Sequence, residues 1–190
     1  MDDDDEDEST NRKKRVNVEI RAMEIDDLAT VYHLGERLFT ASKMPTLYRT
    51  WDPFEVIELF QAEPELCLVA ESDDRIIGFA LGTTIQKRRS AWKYGHLVWL
   101  GVDPAYQRND VSTRLFNEFR EQLVEMGVRM ILVDTEADNL PALHFFRKIG
   151  FGNPQEHIYL TLNLDAQRRQ QTDRKGNGRA EGSRGLRSDD

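Results

Sequence analysis

The stretch that most constrains the fold of this chain is LVWLGVDPAYQRNDVS, residues 97–112. An apolar run ends at Asp103-Pro104, a polar turn follows, and an amphipathic helix begins. Apolar side chains recur at helical spacing at Leu115, Phe116, Phe119, Leu123 and Met126. The first N–H groups of a helix have no intrahelical partner, and the helix dipole adds roughly half a positive charge there. A strand, a tight turn and a helix N-terminus therefore predict a site for a phosphorylated cofactor at residues 108–113.

The rest of the chain predicts a mixed central β-sheet flanked by helices, an α/β (α+β) fold, in the order β-α-α-β-β-β-α-β-α-β. Alternating or continuous apolar runs predict the other strands at residues 16–20, 66–70, 76–85, 92–102, 130–133 and 157–164. The run 130–133 suits a parallel, central strand. Helices are predicted after Asp26-Asp27, after Trp51-Asp52-Pro53 and at residues 140–148. In the second helix the expected buried stripe is Phe54, Ile57 and Phe60.

Composition divides the chain into one domain and two tails. Residues 1–15 contain an acidic run and then four basic side chains, and residues 165–190 are rich in Arg, Gly, Gln and Ser. Neither segment has enough apolar side chains to offset its ordering entropy, so both are expected to be disordered. The folded domain is expected at residues 16–164.

Charge and cysteine content limit the possible functions. The net charge is −8, and the domain itself is acidic, which argues against nucleic-acid binding as the main activity. No apolar run reaches the length of a membrane span. The only cysteine, Cys67, lies in a strand-like run and fits a buried position in a protein of the reducing cytoplasm. We therefore expect a soluble cytoplasmic protein without a metal site.

Two motifs carry a resemblance to a known family. The turn VDPAYQRNDVS, residues 102–112, resembles the acyl-CoA turn of the GNAT superfamily of N-acetyltransferases, Gln/Arg-x-x-Gly-x-Gly/Ala. The segment NLPALHFFRKIGF, residues 139–151, is similar to Asn-x-x-Ala-x-x-x-Tyr-x-x-x-Gly-Phe of the same family. The resemblance covers residues 16–164 and implies the acyl-CoA N-acyltransferase fold, with acetyl-CoA as co-substrate. It assigns the cofactor to Leu100, Gly101, Val102, Gln107, Arg108, Asn109, Asp110, Val111, Ser112, Thr113, Asn139 and Phe146.

Three positions depart from the family pattern. Asp110 and Ser112 stand where the family has Gly and Gly or Ala, and Phe146 replaces a tyrosine that is thought to protonate the leaving thiolate. Asp tolerates a left-handed backbone better than most residues, so the turn is expected to keep its shape. The carboxylate of Asp110 is expected to repel the diphosphate of a CoA molecule bound in this turn. Arg108 and Arg114 are candidates to offset that charge.

The resemblance places catalysis on the strand before the turn. In several members a glutamate on this strand acts as general base, at the positions that match His96 or Tyr94. A strand histidine that only packs or faces solvent is an equally open interpretation of His96. Asp134 and Glu136, at the end of the next strand, are alternative bases or acceptor contacts. Tyr94, Tyr106 and Ser112 are unranked candidates for the missing acid, and Phe146 is favoured as a wall against pantetheine.

The resemblance also implies a β-bulge in this strand, which would direct unpaired N–H groups of residues 100–102 at the acyl oxygen. The acceptor pocket is expected beneath residues 40–50 and 86–92, with Trp51 at its edge. Met44, Leu47, Tyr48 and Trp51 are alternatively core residues under a long loop.

The predicted function is transfer of an acetyl group from acetyl-CoA to a primary amine, by direct attack of the neutral amine. The amine belongs to a protein N-terminus, a lysine or a small molecule. The alternative is a catalytically impaired module of the same fold that senses CoA or binds another protein. A homodimer is compatible with either.

Overall fold

The computed structural model describes residues 17–40, 50–86, 89, 92–107, 109–156, 158, 160 and 162. These residues contain a five-stranded sheet with the strand order β1-β2-β3-β4-β5. The strands are β1 (Glu19–Ala22), β2 (Cys67–Ser72), β3 (Arg75–Gln86), β4 (Lys93–Val102) and β5 (Met130–Val133). The helices are α1 (Leu28–Leu38), α2 (Pro53–Ala62), α3 (Val111–Glu125) and α4 (Leu140–Lys148). All neighbouring strands are antiparallel except β4 and β5, which are parallel. The predicted mixed sheet flanked by helices is therefore confirmed.

The predicted order of elements is confirmed as far as α4. The predicted strand at residues 157–164 lies largely outside the described residues, and Ile158, Leu160 and Leu162 belong to no strand. β5 is parallel to β4 as expected, but among the described residues it pairs on one side only. Its alternate side chains are exposed. The predicted central position stays a prediction, because the strand expected beside β5, at residues 157–164, lies largely outside the described residues.

The rotation of α2 also differs from the prediction. Asp52 caps this helix by accepting a hydrogen bond from the N–H of Phe54 at 2.7 Å, and Pro53 begins it, as the sequence predicted. The buried side chains are Val56 and Leu59, whereas Phe54 is 72% exposed and Ile57 is 38% exposed. The predicted stripe was therefore wrong for those two residues, and only Phe60 packs partly against the core. Trp99 of β4 donates a hydrogen bond to Glu55, a tertiary contact that accompanies this rotation.

One face of the sheet is covered by α1, α2 and an aromatic cluster. Trp51 is 8% exposed and contacts the rings of Phe39, Phe79 and Trp99. Its indole N–H donates to the carbonyl of Tyr32 at 2.9 Å. Trp51 is thus a core residue rather than part of a pocket roof. The other predicted roof residues, Met44, Leu47 and Tyr48, and most of the loop 86–92 lie outside the described residues.

The other face of the sheet is covered by α3. The buried side chains of this helix are Val111, Leu115, Phe116, Phe119 and Leu123, which include four of the five predicted apolar positions. Met126, the fifth, is partly exposed. Cys67 is buried on β2, and burial raises the pKa of its thiol to about 12. The thiol is therefore protonated at neutral pH, as expected of a packed strand residue rather than a nucleophile.

The residues from Phe151 onward form a unit separate from the preceding ones, and its described residues carry no helix or strand. Within the described part of the chain, no helix combines the length and the apolar character needed to cross a membrane.

Candidate functional site

A β-bulge in β4 opens the sheet beside β5. Leu81 of β3 pairs with Trp99 and the next residue, Gly82, pairs with Leu97, so Val98 is the extra residue on β4. The parallel ladder to β5 runs only from Tyr94 to Leu97 of β4. Beyond the bulge, β4 continues to Val102 along β3 alone. The bulge that the resemblance implied is therefore present, at the point where β4 and β5 stop pairing.

Beyond the bulge, two of the three predicted N–H groups face this opening. The N–H of Asp103 donates to the carbonyl of Ile77 at 2.8 Å, which makes these two residues a hydrogen-bonded pair of the antiparallel ladder. Because such pairs alternate, the N–H groups of Leu100 and Val102 point away from β3. The N–H of Gly101 points toward β3 instead. A Cβ on Gly101 would lie 2.8 Å from a methyl of Leu38, so this glycine allows α1 to pack on β4.

The turn between β4 and α3 keeps a shape that most side chains would disfavour. Asp110 has φ 55° and ψ 16°, in the left-handed region where the family pattern has glycine. Its side chain is exposed and makes no hydrogen bond to the N–H groups of the helix. The first intrahelical bond is from Arg114 to the carbonyl of Asp110, at 2.9 Å. The N–H groups of residues 111–113 have no intrahelical acceptor in any α-helix, so the N-terminus of α3 offers three donors.

The remaining turn residues lie directly before α3 or in its first turn. The N–H of Gln107 bonds to Pro104 in a short 3-10 turn, and the amide of Asn109 donates to the carbonyl of Tyr106 at 3.3 Å. Ser112 and Thr113 are partly exposed in the first turn of α3. Arg108 lies outside the described residues.

His96 and Asp134 meet across the end of the β4–β5 ladder. His96 pairs with Leu132 in the parallel register, and Asp134 directly follows β5. The Nε2 atom of His96 lies 2.9 Å from Oδ1 of Asp134, with side-chain exposures of 22% and 46%. When Nε2 donates to this carboxylate, the lone pair of the neutral imidazole is on Nδ1. In that tautomer the carboxylate orients the ring, and Nδ1 is the nitrogen that can accept a proton.

The other candidate bases and acids are placed less favourably. Tyr94 is two residues before His96 on β4, with its ring stacked on Trp92 at 6.5 Å. It is six residues before Leu100, about 20 Å along an extended strand. Tyr106 lies in the 3-10 turn after β4. Glu136 is partly buried after β5, and His144 is exposed on α4.

His96 lines one wall of a groove between the sheet and α2, with a volume of about 430 Å³. Its lining is Glu55, Glu58, Leu59, Ala62, Thr83, His96 and Val98. Residues 55, 58, 59 and 62 lie on one face of α2, as expected from their spacing of three and four. The groove thus presents two carboxylates and an apolar strip opposite His96.

Hydrogen bonds at both ends of α2 fix this wall. Near the N-terminus of the helix, Nε1 of Trp99 donates to Oε2 of Glu55 at 2.9 Å. At the other end, the Glu63 carboxylate accepts hydrogen bonds from the hydroxyl of Thr83 at 2.8 Å and from the N–H of Thr84. Burial raises the pKa of Glu63, but the hydrogen bonds from Thr84 and Thr83 outweigh burial, so the pKa lies below its ordinary value of 4.5. Glu63 is therefore ionised at neutral pH, and it ties the end of α2 to β3 rather than lining the groove.

Sequence reasoning did not identify Glu55 and Glu58 as site residues. The only available signal was two carboxylates one helical turn apart beside the apolar stripe of α2, and solvent-exposed helix faces share that pattern. Asp134 was identified only as an alternative base or acceptor contact, without its pairing to His96.

The second motif builds the start of α4. Oδ1 of Asn139 accepts a hydrogen bond from the N–H of Ala142 at 3.3 Å, and its Nδ2 donates to Thr135 at 3.0 Å. Asn139 is thus an N-cap. Phe146 is 8% exposed and packs edge-on against Phe145 at 5.4 Å. Its interpretation as a wall against pantetheine stays a prediction.

A second, more open groove lies between β1 and α3, with a volume of about 510 Å³. It is lined mainly by polar side chains, among them Arg114, Asn117, Glu118 and Glu121. It contains none of the predicted catalytic or cofactor residues. The candidate functional site is therefore the smaller groove beside the bulge.

Known proteins resemble this chain in sequence over most of the sheet. The family model for the acetyltransferase (GNAT) family matches residues 28–151. N-alpha-acetyltransferase 30 of Homo sapiens is 27% identical over 106 residues, which are 55% of this chain and only 29% of that protein. An acetyltransferase of Yersinia pestis is 28% identical over 149 residues, covering 77% of this chain and 96% of that protein.

Two solved structures have the same fold. The aminoglycoside N-acetyltransferase AAC(6')-Iy in complex with CoA superimposes with a TM-score of 0.62 at 19% identity, over 80% of this chain and 99% of that one. Ard1 from Thermoplasma volcanium gives a TM-score of 0.61 at 21% identity, over 74% of this chain and 86% of that one. At these identities the likeness concerns the fold alone.

Proposed function

The chain belongs to the acetyltransferase (GNAT) family, and from this premise we propose that it transfers an acetyl group from acetyl-CoA to a primary amine. The observation that carries the proposal is the His96–Asp134 pair beside the bulge of β4, in which His96 lines the same groove as two carboxylates of α2. A general base is valuable here, because an alkylamine with a pKa near 10.4 is almost fully protonated at pH 7 and cannot attack.

The residues at the start of α3 fit a CoA diphosphate. The three N–H groups of residues 111–113 and the positive end of the helix dipole suit an anion. Asp110 adopts the left-handed conformation that a glycine would adopt, and its carboxylate does not occupy these donors. The impaired-module alternative therefore draws no support from the backbone of this turn. We propose that residues 109–113 hold the diphosphate.

The residues of β4 would orient and serve the reacting groups. Bound acetyl-CoA supplies an acetyl group activated as a thioester. The N–H groups of Leu100 and Val102 are donors on the open side of β4, suited to hold an acyl oxygen. Nδ1 of His96 would accept the proton of the amine, directly or through one water, while Asp134 holds the opposite nitrogen. Phe146 would exclude water without donating a proton.

Replacement of the base tests this proposal. We expect His96→Gln to lower kcat/KM for an alkylamine about a hundredfold at pH 7, measured as release of CoA thiol. The deficit should shrink as the pH approaches 10, because the amine then loses its proton without help.

His144→Gln, on the exposed face of α4, is the matched control and should keep the wild-type rate. Wild-type turnover by His96→Gln across the pH range would rule out His96 as the base. Absence of acetyl-CoA binding by calorimetry would refute the proposed function itself.

A further inference from the structure

Strand β3 extends beyond its neighbour β2 in the part that pairs with His96. The ladder between β2 and β3 ends at the pair of Cys67 and Leu81, whereas residues 82–86 of β3 pair with β4 alone. In this extension Thr83 pairs with His96. Within the described sheet the extension therefore has no strand on its β2 side, and such an edge presents backbone N–H groups that no ladder satisfies.

The carboxylate of Glu63 takes the place of a strand at this edge. It accepts hydrogen bonds from the hydroxyl of Thr83 at 2.8 Å, from the N–H of Thr84 and from the hydroxyl of Thr84. The carboxylate is ionised at neutral pH, and hydrogen bonds to a charged acceptor are about twice as strong as those between neutral groups. One side chain therefore holds the edge of β3 at the residue that pairs with His96.

Glu63 is itself fixed at the end of α2. Its N–H donates to the carbonyl of Leu59 at 3.1 Å, and its carbonyl accepts from the N–H of Leu66 at 3.0 Å. Leu59 lines the groove on the side of α2, whereas Thr83 and His96 line it on the side of the sheet. The carboxylate of Glu63 thus connects the two walls of the groove next to His96.

Resting on the proposed function, we infer that Glu63 is a positioning residue, which acts through Thr83 on His96. Paired residues of an antiparallel ladder have their side chains on one face, with Cβ atoms about 5 Å apart, so a shift of Thr83 moves the strand that carries His96. The contact of His96 with Asp134 at 2.9 Å tolerates little displacement, since a hydrogen bond weakens steeply as its angle closes. A base that is misplaced by about 1 Å can cost a hundredfold in rate.

A double-mutant cycle tests whether Glu63 acts through His96. We expect Glu63→Gln to lower kcat for n-butylamine about tenfold at pH 7 and to leave the KM for acetyl-CoA unchanged, measured as release of CoA thiol. The same substitution should have no further effect on kcat in the His96→Gln background. The deficit should also disappear toward pH 10, where the amine loses its proton without a base. Glu65→Gln, which removes an exposed carboxylate of the same segment, is the matched control and should keep the wild-type kcat.

Thr83→Val tests the link between Glu63 and the sheet. This variant removes one hydroxyl and keeps the branched shape of the side chain and the bonds between Glu63 and Thr84. It should lower kcat about threefold, with no further loss in the Glu63→Gln background. Wild-type kcat for both variants, or an equal effect of Glu63→Gln with and without His96, would overturn the inference. In these cases acetyl transfer by the wild type would leave the proposed function intact.

Should no amine release thiol, the proposed function fails and NMR decides the inference separately. Nitrogen-15 shifts of His96, assigned by their loss in His96→Gln, report which ring nitrogen carries the proton, and donation to Asp134 requires it on Nε2. We expect Glu63→Gln to lower the ratio of the Nε2–H to the Nδ1–H form severalfold, and Glu65→Gln to keep the wild-type ratio. Should Glu63→Gln fail to fold, Thr83→Val is measured in its place. An unchanged ratio overturns the inference.

Discussion

Asp110 combines two opposite effects at one position of the α3 N-terminus. Its left-handed backbone, with φ 55°, maintains the turn that directs the first N–H groups of the helix outward. In the unliganded protein its carboxylate is stabilised by the positive end of the helix dipole. The same carboxylate would repel a diphosphate bound there. The backbone and the side chain of this residue therefore act in opposite directions on anion binding.

Removal of this charge is expected to strengthen CoA binding. Asp110→Asn removes the carboxylate and keeps a side chain that tolerates the left-handed region. Asp110→Gly also removes the carboxylate, and glycine adopts the left-handed region without strain. Each variant should lower the Kd for acetyl-CoA about tenfold at low ionic strength, measured by calorimetry. The unliganded protein should become slightly less stable at the same time.

The two variants separate charge from backbone shape. Equal gains for Asn and Gly indicate that charge is the cause, and the gain should decrease in high salt. A gain for Gly alone would show that backbone strain, not the carboxylate, limits binding in the wild type.

At the level of single residues, the sequence predicted local properties well and long-range pairs poorly. The left-handed backbone of Asp110 and the burial of Cys67 follow from residue type and sequence neighbours, and both predictions are confirmed. The contact of His96 with Asp134 joins residues 38 positions apart, and that of Trp99 with Glu55 joins residues 44 apart. Such pairs depend on strand register and helix rotation, which no local pattern specifies.

At the level of elements, the helix and strand positions were predictable because caps and turns are local. Asp52 caps α2, Asn139 caps α4, and Asp73 and Asp74 form the tight turn between β2 and β3 with positive φ. The rotation of α2 about its axis was not predictable from its own residues. Phe54 and Ile57 follow the same helical spacing as Val56 and Leu59, and only contacts with the rest of the protein choose between the two faces.

Glu63 anchors the C-terminal end of α2 to β3, and its replacement should loosen the groove wall. Glu63→Gln loses the carboxylate that accepts hydrogen bonds from Thr83 and Thr84. Because the site is only partly buried, we expect a loss of about 1 kcal/mol in the free energy of unfolding at pH 7, measured by urea titration.

The pH dependence of this loss has a defined sign. The pKa of Glu63 is lowered in the folded state, so its contribution to stability is present above pH 4.5 and disappears as the pH falls below that value. Wild type and Glu63→Gln should therefore converge in stability toward pH 3, relative to the exposed control Glu65→Gln. A difference that persists unchanged at pH 3 would indicate that packing, not ionisation, carries the contribution.

At the level of the whole molecule, the sheet is held between α1 and α2 on one face and α3 on the other. The helices approach closely where strands carry glycine. A Cβ on Gly95 would lie 2.4 Å from a methyl of Leu123, and one on Gly101 would lie 2.8 Å from a methyl of Leu38. The sequence predicted the layers but not these contacts, since a glycine within a strand does not reveal which face a helix will cover. The site depends on the same packing, because β4 carries both glycines and His96 between two helical layers.

The strongest test of this layered packing is at Gly82, opposite the bulge. A Cβ there would lie 2.4 Å from the ring of Phe119 and 2.6 Å from the carbonyl oxygen of His96. The ring can move only by displacing α3, and the carbonyl only by moving β4. Gly82→Ala should therefore lower the free energy of unfolding by about 1–3 kcal/mol in urea titration, as overpacking of a core does. It should also lower the rate of acetyl transfer, because the shifted backbone belongs to His96.

Gly152→Ala is the matched control, because a Cβ on Gly152 would have no contact within 4 Å, and it should leave both stability and rate unchanged. Wild-type stability of Gly82→Ala would mean that α3 and β4 are not held at the distance on which the site geometry depends.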